Sequence, residues 1–359
     1  MKKKSAIAVS ILLPVIFFLL YFFLALNGCY YVTEGSALLS VYGTAERIDL
    51  VLEKNEIPAD ERELLLSVKK IRTFAIQDLG LLTNENYTTY VQLDRDYLAT
   101  IVSACTPDSF NQYKWDYLCM GKLPYKGFFK REDALAEAER LKNQGFDVYV
   151  RPVDAFSTLG MLSDPIFSYM KDYSSYALSN LIIHEQTHAT KYFTKDVDFS
   201  ENIASFIADK GAIDYIKKEF GSESKEYESS LSRLADREAF VRQLQELFFQ
   251  LQELYEHELD STVIIEKKQV IIETWKIKFN AEYNRNFQSD LYRKVPEIPI
   301  NNAFLMTFRN YTGNLDEIAA VYALGNNNLT EFIGFFKQLP DDAEHPLAEL
   351  KKIITNHQE

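Results

Sequence analysis

Ile182-Ile183-His184-Glu185-Gln186-Thr187-His188-Ala189 is the stretch around which the rest of the chain is read. Two His four residues apart lie one turn above the other on a single helix face, so both imidazoles reach one metal ion. Glu185 follows the first His by one residue. It therefore projects about 100° around the helix from His184, beside a metal rather than onto it. A base must stand there to take a proton from a metal-activated water. The context is helical, because Tyr176, Leu178, Leu181, Ile182 and Ile183 precede the pair and neither Pro nor Gly interrupts Ala177 to Lys191. The bland alternative is two His at the end of an apolar core helix. It requires this spacing to arise by chance beside a Glu, with five His in 359 residues. The stretch points to one Zn2+ and to hydrolysis.

A zinc site needs a third protein ligand and an open position for water. The longer H-E-x-x-H-x-x-G-x-x-H pattern is absent, since Lys191 stands in place of the Gly and Thr194 in place of the third His. The next carboxylates are Asp196, Asp198, Glu201 and Asp209. Glu201 suits best, at the start of a second helical pattern with Ile203, Phe206, Ile207 and Ile213. A loop of about ten residues folds that helix back on the first. Asp196 and Asp198 are expected in this loop, where acidic residues are usually solvated. The predicted ligand set is His184, His188 and Glu201, with Glu185 as the general base.

Around this centre, 47% hydrophobic and 14% aromatic residues are ample for a real core. A formal net charge of −13 argues against a nucleic-acid partner and against an electrostatic grip on anionic lipid. Lys2-Lys3-Lys4 followed by an uncharged apolar run from Ala6 to Leu26 reads as a targeting segment. That run is also long enough to span a bilayer. It ends in Leu26-Asn27-Gly28-Cys29, which is similar to a lipobox with Cys29 as the lipidated residue, although Asn27 is atypical. An uncleaved anchor helix is the alternative. Both readings place the remainder outside the cytoplasm, in the cell envelope on the periplasmic side.

Residues 30–86 read as a helical region, with Leu64 to Leu79 as one helix closed by Gly80. From Tyr87 the pattern turns to strands at Tyr90–Leu93, Thr100–Val102, Tyr125–Phe129 and Asp147–Val150. A short helix between the last two makes a β-α-β unit. Cys105 and Cys119 either bridge or remain two free thiols. Residues Ala155 to Gly160 form either an extended segment beside the site or a plain loop. Leu231 through Leu254 and a return from Ser261 to Tyr283 predict a long helical hairpin. The expected fold class is α+β: a mostly helical, zincin-like catalytic domain with a small mixed β-sheet before the metal helix and the hairpin after it. The expected organisation is residues 1–29 as leader, 30–86 helical, 87–220 the zinc-binding core, 221–340 helical and 341–359 a frayed tail.

Several segments together carry a family resemblance. They are Gly28-Cys29-Tyr30-Tyr31, Leu93-Asp94-Arg95-Asp96-Tyr97, Tyr125-Lys126-Gly127-Phe128-Phe129 and Gly145 to Val150. Phe156 to Gly160, the His184–His188 motif, Phe199-Ser200-Glu201-Asn202 and Asn301-Asn302-Ala303 continue the series. In that order the chain resembles a bacterial family labelled as zinc aminopeptidases, lipoprotein-like proteins placed with the thermolysin-like (gluzincin) peptidases. Ser200-Glu201 stands where that family has Asn-Glu, so the resemblance also implies Glu201 as third ligand. It implies a peptide substrate and a membrane attachment through the N-terminal lipid or anchor helix. The cysteines depart from the family's pair, and no Gly-x-Met-Glu-Asn segment for gripping a free amino terminus is present. The resemblance therefore supports "peptidase" better than "amino". Tyr311 is the candidate donor to the oxyanion. The alternative function is a non-catalytic, membrane-anchored lipoprotein whose fold serves binding or assembly.

Overall fold

The computed structural model describes residues 29–54, 56–117, 121–153, 163–308 and 315–358. The leader segment 1–28, Cys119, residues 155–160 and Tyr311 lie outside the described residues, as does the side chain of Cys29. Among the described residues no helix is long and apolar enough to cross a membrane.

The first unit ends at Ala45, and helix α1 (Cys29–Tyr42) is its described part. The second unit, Glu46–Glu359, holds everything else. It opens with β1 (Glu46–Arg47), α2 (Ile48–Glu53) and α3 (Ala59–Gln77). The strands β2 (Thr89–Val91), β3 (Ala99–Cys105), β4 (Trp115–Tyr117), β5 (Gly121–Leu123) and β6 (Tyr125–Phe128) follow. Next come α4 (Arg131–Lys142), β7 (Asp147–Val153), β8 (Ile166–Phe167), α5 (Ser175–Thr190) and α6 (Val197–Phe220). The chain continues through α7 (Lys225–Tyr255), α8 (Ser261–Asn286), α9 (Asn302–Phe308), α10 (Leu315–Leu324), α11 (Leu329–Gln338) and α12 (Pro346–Gln358). The fold is α+β, mostly helical with small sheets, as the residue pattern predicts.

β6, β3 and β7 form an antiparallel sheet with β3 central. The expected β-α-β unit is present as β6-α4-β7, with β3 inserted between its two strands. Register pairs Ile101 with Gly127 and Arg151, and Ser103 with Tyr125 and Tyr149. Paired residues of antiparallel strands point to one face, and their neighbours to the other. The alternate set, Val102, Ala104, Phe128 and Val148, is buried together with Ala134, Ala138 and Leu141 of α4. A second sheet, β1-β2-β8, is mixed, antiparallel at β1/β2 and parallel at β2/β8. β4 and β5 pair as a two-stranded ribbon.

The centre of the unit is the pair α5 and α6. Ser174 caps α5 by accepting from Ala177 N (3.2 Å), and Ile182 and Ile183 are fully buried in its middle. α6 buries Phe199, Ile203, Ala204, Ile207, Ala208, Ala212, Tyr215 and Ile216, so its apolar surface is wrapped by neighbours on several sides. Gly211 lets this packing close up. A Cβ there would stand 2.9 Å from Leu79 Cδ1 and 3.2 Å from Ile183 Cδ1, next to the first metal-helix His.

α7 and α8 form the predicted hairpin, with Leu244, Leu247 and Leu251 buried in one cluster with Ile272, Trp275, Phe279 and Tyr283. Buried Lys268 of α8 joins it to the sheet by donating to Asp147 Oδ2 and Pro107 O, each at 2.7 Å. The expectation of a frayed tail at 341–359 is corrected. Pro346–Gln358 is a helix, and Leu350 and Ile354 are fully buried. Leu347, Leu350, Ile353 and Ile354 stand at i, i+3, i+6 and i+7, a short helical stripe that a reading of the last residues as a tail passes over.

Candidate metal centre

The two helices place His184 and His188 of α5 against Glu201 of α6. The imidazole planes stand at 86° to each other, and their Nε2 atoms are 3.0 Å apart. His184 Nε2 lies 3.5 Å from Glu201 Oε2 and His188 Nε2 lies 3.4 Å from Oε1. Ligand atoms bonded to one zinc at about 2.0–2.1 Å in tetrahedral directions are separated by about 3.3 Å. The observed spacings match one face of such a tetrahedron, and the donors, two imidazole nitrogens and a carboxylate, are of the types zinc takes. These three residues can hold a metal ion. Their side chains are only partly exposed, at 20%, 16% and 38%. His188 Nδ1 is buried without a hydrogen-bond partner among the described residues.

Burial alone would raise the Glu201 carboxyl. The hydrogen bonds and charges of His184 and His188 outweigh it and hold the pKa down to about 2. The carboxylate is thus kept ionised, as a ligand must be.

The other carboxylates considered from the sequence do different work. Asp196 is the N-cap of α6, accepting from Phe199 N at 3.0 Å. Its capping starts the helix earlier than the expected ten-residue loop allows, and Asp198, exposed, falls in the first turn. Asp209 Oδ1 accepts from Tyr176 OH (2.8 Å), Asn180 Nδ2 (2.7 Å) and Arg237 Nη1 (2.6 Å). Ser200, beside Glu201, clamps the turn between the helices. Its Oγ accepts from Phe193 N at 2.9 Å and donates to Asp196 O at 3.2 Å. Lys191, standing where the longer motif has Gly, donates to Leu339 O and pairs with Asp341 at 2.7 Å.

Glu185 is partly buried on α5, one residue beyond His184. One phenol not singled out from the sequence, Tyr192, borders the centre. The Tyr192 ring meets His188 edge-on, 5.3 Å between centroids. Burial and the Glu201 charge push its hydroxyl pKa up. For Tyr125 burial pushes the hydroxyl up, the Arg151 guanidinium opposes it, and Glu201 adds to the rise. Nothing in single-residue patterns marks these two among 22 Tyr; position relative to the fold does. Cys105 is a buried free thiol that donates weakly to Ser109 O at 3.4 Å. Asn302, in a stretch that carries the family resemblance, is a brace. It donates from its N to Asp147 Oδ2 and from Nδ2 to Thr106 O, both at 2.9 Å.

This α+β unit carries on two adjacent helices a His-His-Glu group that could hold a metal ion. The chain belongs to the family described as "putative aminopeptidase", which it matches over residues 29–349. Membership supports peptide hydrolysis as the class of activity and a peptide as the class of substrate. Neither the curated proteins nor the solved structures include a match to the chain.

Proposed function

We propose that this chain is a zinc-dependent peptidase, an aminopeptidase in the sense of its family, with His184, His188 and Glu201 as ligands. The observation carrying the reading is the convergence of two Nε2 atoms and both Glu201 oxygens within 3.5 Å. Zinc, when bound, supplies a Lewis acid that acidifies water and polarises a carbonyl. Glu185 takes the proton of the attacking water and hands it to the leaving amine. Tyr192, whose ring lies against His188, is the phenol proposed to donate to the developing oxyanion. Tyr311, the earlier candidate, lies outside the described residues.

The test combines metal analysis of the purified protein with digestion of a peptide library. About one zinc per chain with cleavage lost on chelation supports the reading. Full zinc occupancy with no cleavage of any peptide favours the non-catalytic lipoprotein instead.

The location follows from the basic n-region, the apolar run and Cys29. We place the chain in the cell envelope, attached at its N-terminus. If Cys29 is lipidated, Cys29→Ala retains the precursor mass. Recovery of Met1 or Lys2 peptides from membrane-bound wild type would point to the uncleaved anchor.

A further inference from the structure

Tyr192 meets the metal centre from just beyond the end of α5, and the residues on either side of it are both tied down. Lys191 leaves the helix in extended backbone, at φ −162° and ψ 135°. Successive side chains of an extended chain point to opposite sides. Lys191 and Phe193 therefore turn one way, and the Lys191 Nζ lies over the Phe193 ring, 6.0 Å from its centroid. Tyr192 turns the other way and meets the His188 ring at 5.3 Å between centroids.

Phe193 is the first anchor. It is fully buried against Phe199 of α6 and Phe336 of α11, and its N donates to Ser200 Oγ at 2.9 Å. Lys191 is the second. Its N donates to Thr187 O at 3.0 Å, and its Nζ donates to Leu339 O and, at 2.7 Å, to Asp341 Oδ1. The Lys191 side chain is 11% exposed and that of Asp341 is 92% exposed. An ion pair to a carboxylate so far in solvent contributes little, so the Leu339 carbonyl at the end of α11 is the main hold. A Gly at position 191, as in the longer metal motif, could make neither side-chain bond. Between these anchors Tyr192 is 39% exposed, and a phenol on a loose segment would spread over several rotamers. A donor to an oxyanion acts only if it is in place before the charge develops.

We infer that Lys191 is a positioning residue: by fastening the end of α5 to Leu339 and Asp341 it holds Tyr192 against His188 for the reaction at the metal centre. It acts through Tyr192 rather than on the substrate, and the inference rests on the peptidase reading with Tyr192 as its donor.

The experiment is a double-mutant cycle on the full-length, zinc-loaded protein with a peptide that wild type cleaves. kcat and KM are measured for wild type, Lys191→Met, Tyr192→Phe and the double variant, with Lys191→Arg as the conservative variant. Met keeps most of the length of Lys without its donors. Lys191→Met should lower kcat by about tenfold and move KM by less than about twofold. Lys191→Arg, which keeps the charge and the donors, should recover most of the loss. In the Tyr192→Phe background Lys191→Met should change kcat by less than about twofold, because the group it positions is already gone. Zinc content and melting temperature show that each variant is folded. If Lys191→Met does not fold, Lys191→Gln carries the same cycle, its shorter amide leaving the Leu339 carbonyl out of reach. An unchanged kcat in Lys191→Met, a loss of the same size in both backgrounds, or a Tyr192→Phe variant as active as wild type overturns the inference and leaves the peptidase reading standing. Zinc-loaded wild type that cleaves no peptide overturns the peptidase reading and the inference with it.

Discussion

Asn180 Nδ2 donates to Asp209 Oδ1 over 2.7 Å, one helical turn before His184, and so ties the two ligand-bearing helices together beside the ligands. Tyr176, a further turn back, and Arg237 of α7 converge on the same oxygen. The spacing of His184 and Glu201 depends on how α5 and α6 are held against each other, and this three-donor hub is the polar part of that hold. Asp209→Ala would leave Arg237 half-buried without this partner and free the α5 side chains. The expected cost is about 2 kcal/mol of stability, with zinc affinity falling several-fold because the ligands lose their register. Thermal melting and a competitive zinc titration check it; an unchanged melting temperature would remove the hub from the account.

Glu201→Gln should lower zinc affinity by about tenfold or more, because an amide is a far poorer zinc ligand than a carboxylate. Asp196→Asn keeps an equally good cap on α6 and should retain zinc, as should Asp198→Asn on the exposed first turn. Full zinc occupancy in Glu201→Gln, read by atomic absorption, would rule out the ligand set.

How far these features were legible in the sequence follows from the distance over which each is encoded. His184, Glu185 and His188 sit within one and a half turns, so helix periodicity alone aligns them. Glu201 needed one further step, a second helix folded back after a short loop, and that step brings its carboxylate against the His pair. The cap formed by Asp196 was missed because an Asp before an apolar pattern reads equally as a solvated loop. Tyr125 and Arg151 belong together only through the register of β3 with both β6 and β7, and no local pattern in a strand reveals register with a distant one. The Asp209 hub likewise draws on three helices. The helix at Pro346–Gln358 was legible in the spacing of Leu347, Leu350, Ile353 and Ile354, and was missed because the last residues of a chain are commonly frayed.

Lys268 supplies a stability test well separated from the chemistry. It is fully buried, its Nζ bonded to Asp147 Oδ2 and Pro107 O, and Asn302 N shares the same carboxylate oxygen. Lys268→Ala leaves Asp147 partly buried without its cation and opens a cavity in place of a long side chain. Loss of one partner of such a pair costs about 3 kcal/mol or more, while zinc stoichiometry should stay at the wild-type level. Urea denaturation measures the first and metal analysis the second. A loss under about 1 kcal/mol would mean the pair contributes little beyond what water could replace.

Glu185→Gln separates the chemistry from the metal. Glu185 is the one carboxylate on α5 beside the His pair, yet it is not among the three residues whose ligand atoms converge. If it acts as the base, its role is proton transfer alone. Gln keeps the size and the hydrogen-bonding shape of Glu but cannot accept a proton from the attacking water. Zinc content and melting temperature should therefore stay near those of wild type, while kcat for peptide hydrolysis drops by about 10²–10⁴-fold, the range assigned to a positioned general base. A loss of zinc in parallel with activity would instead make Glu185 a ligand or a support of one. Equal cleavage by wild type and Glu185→Gln would overturn this mechanism and assign the activity to another base, another site or a contaminant.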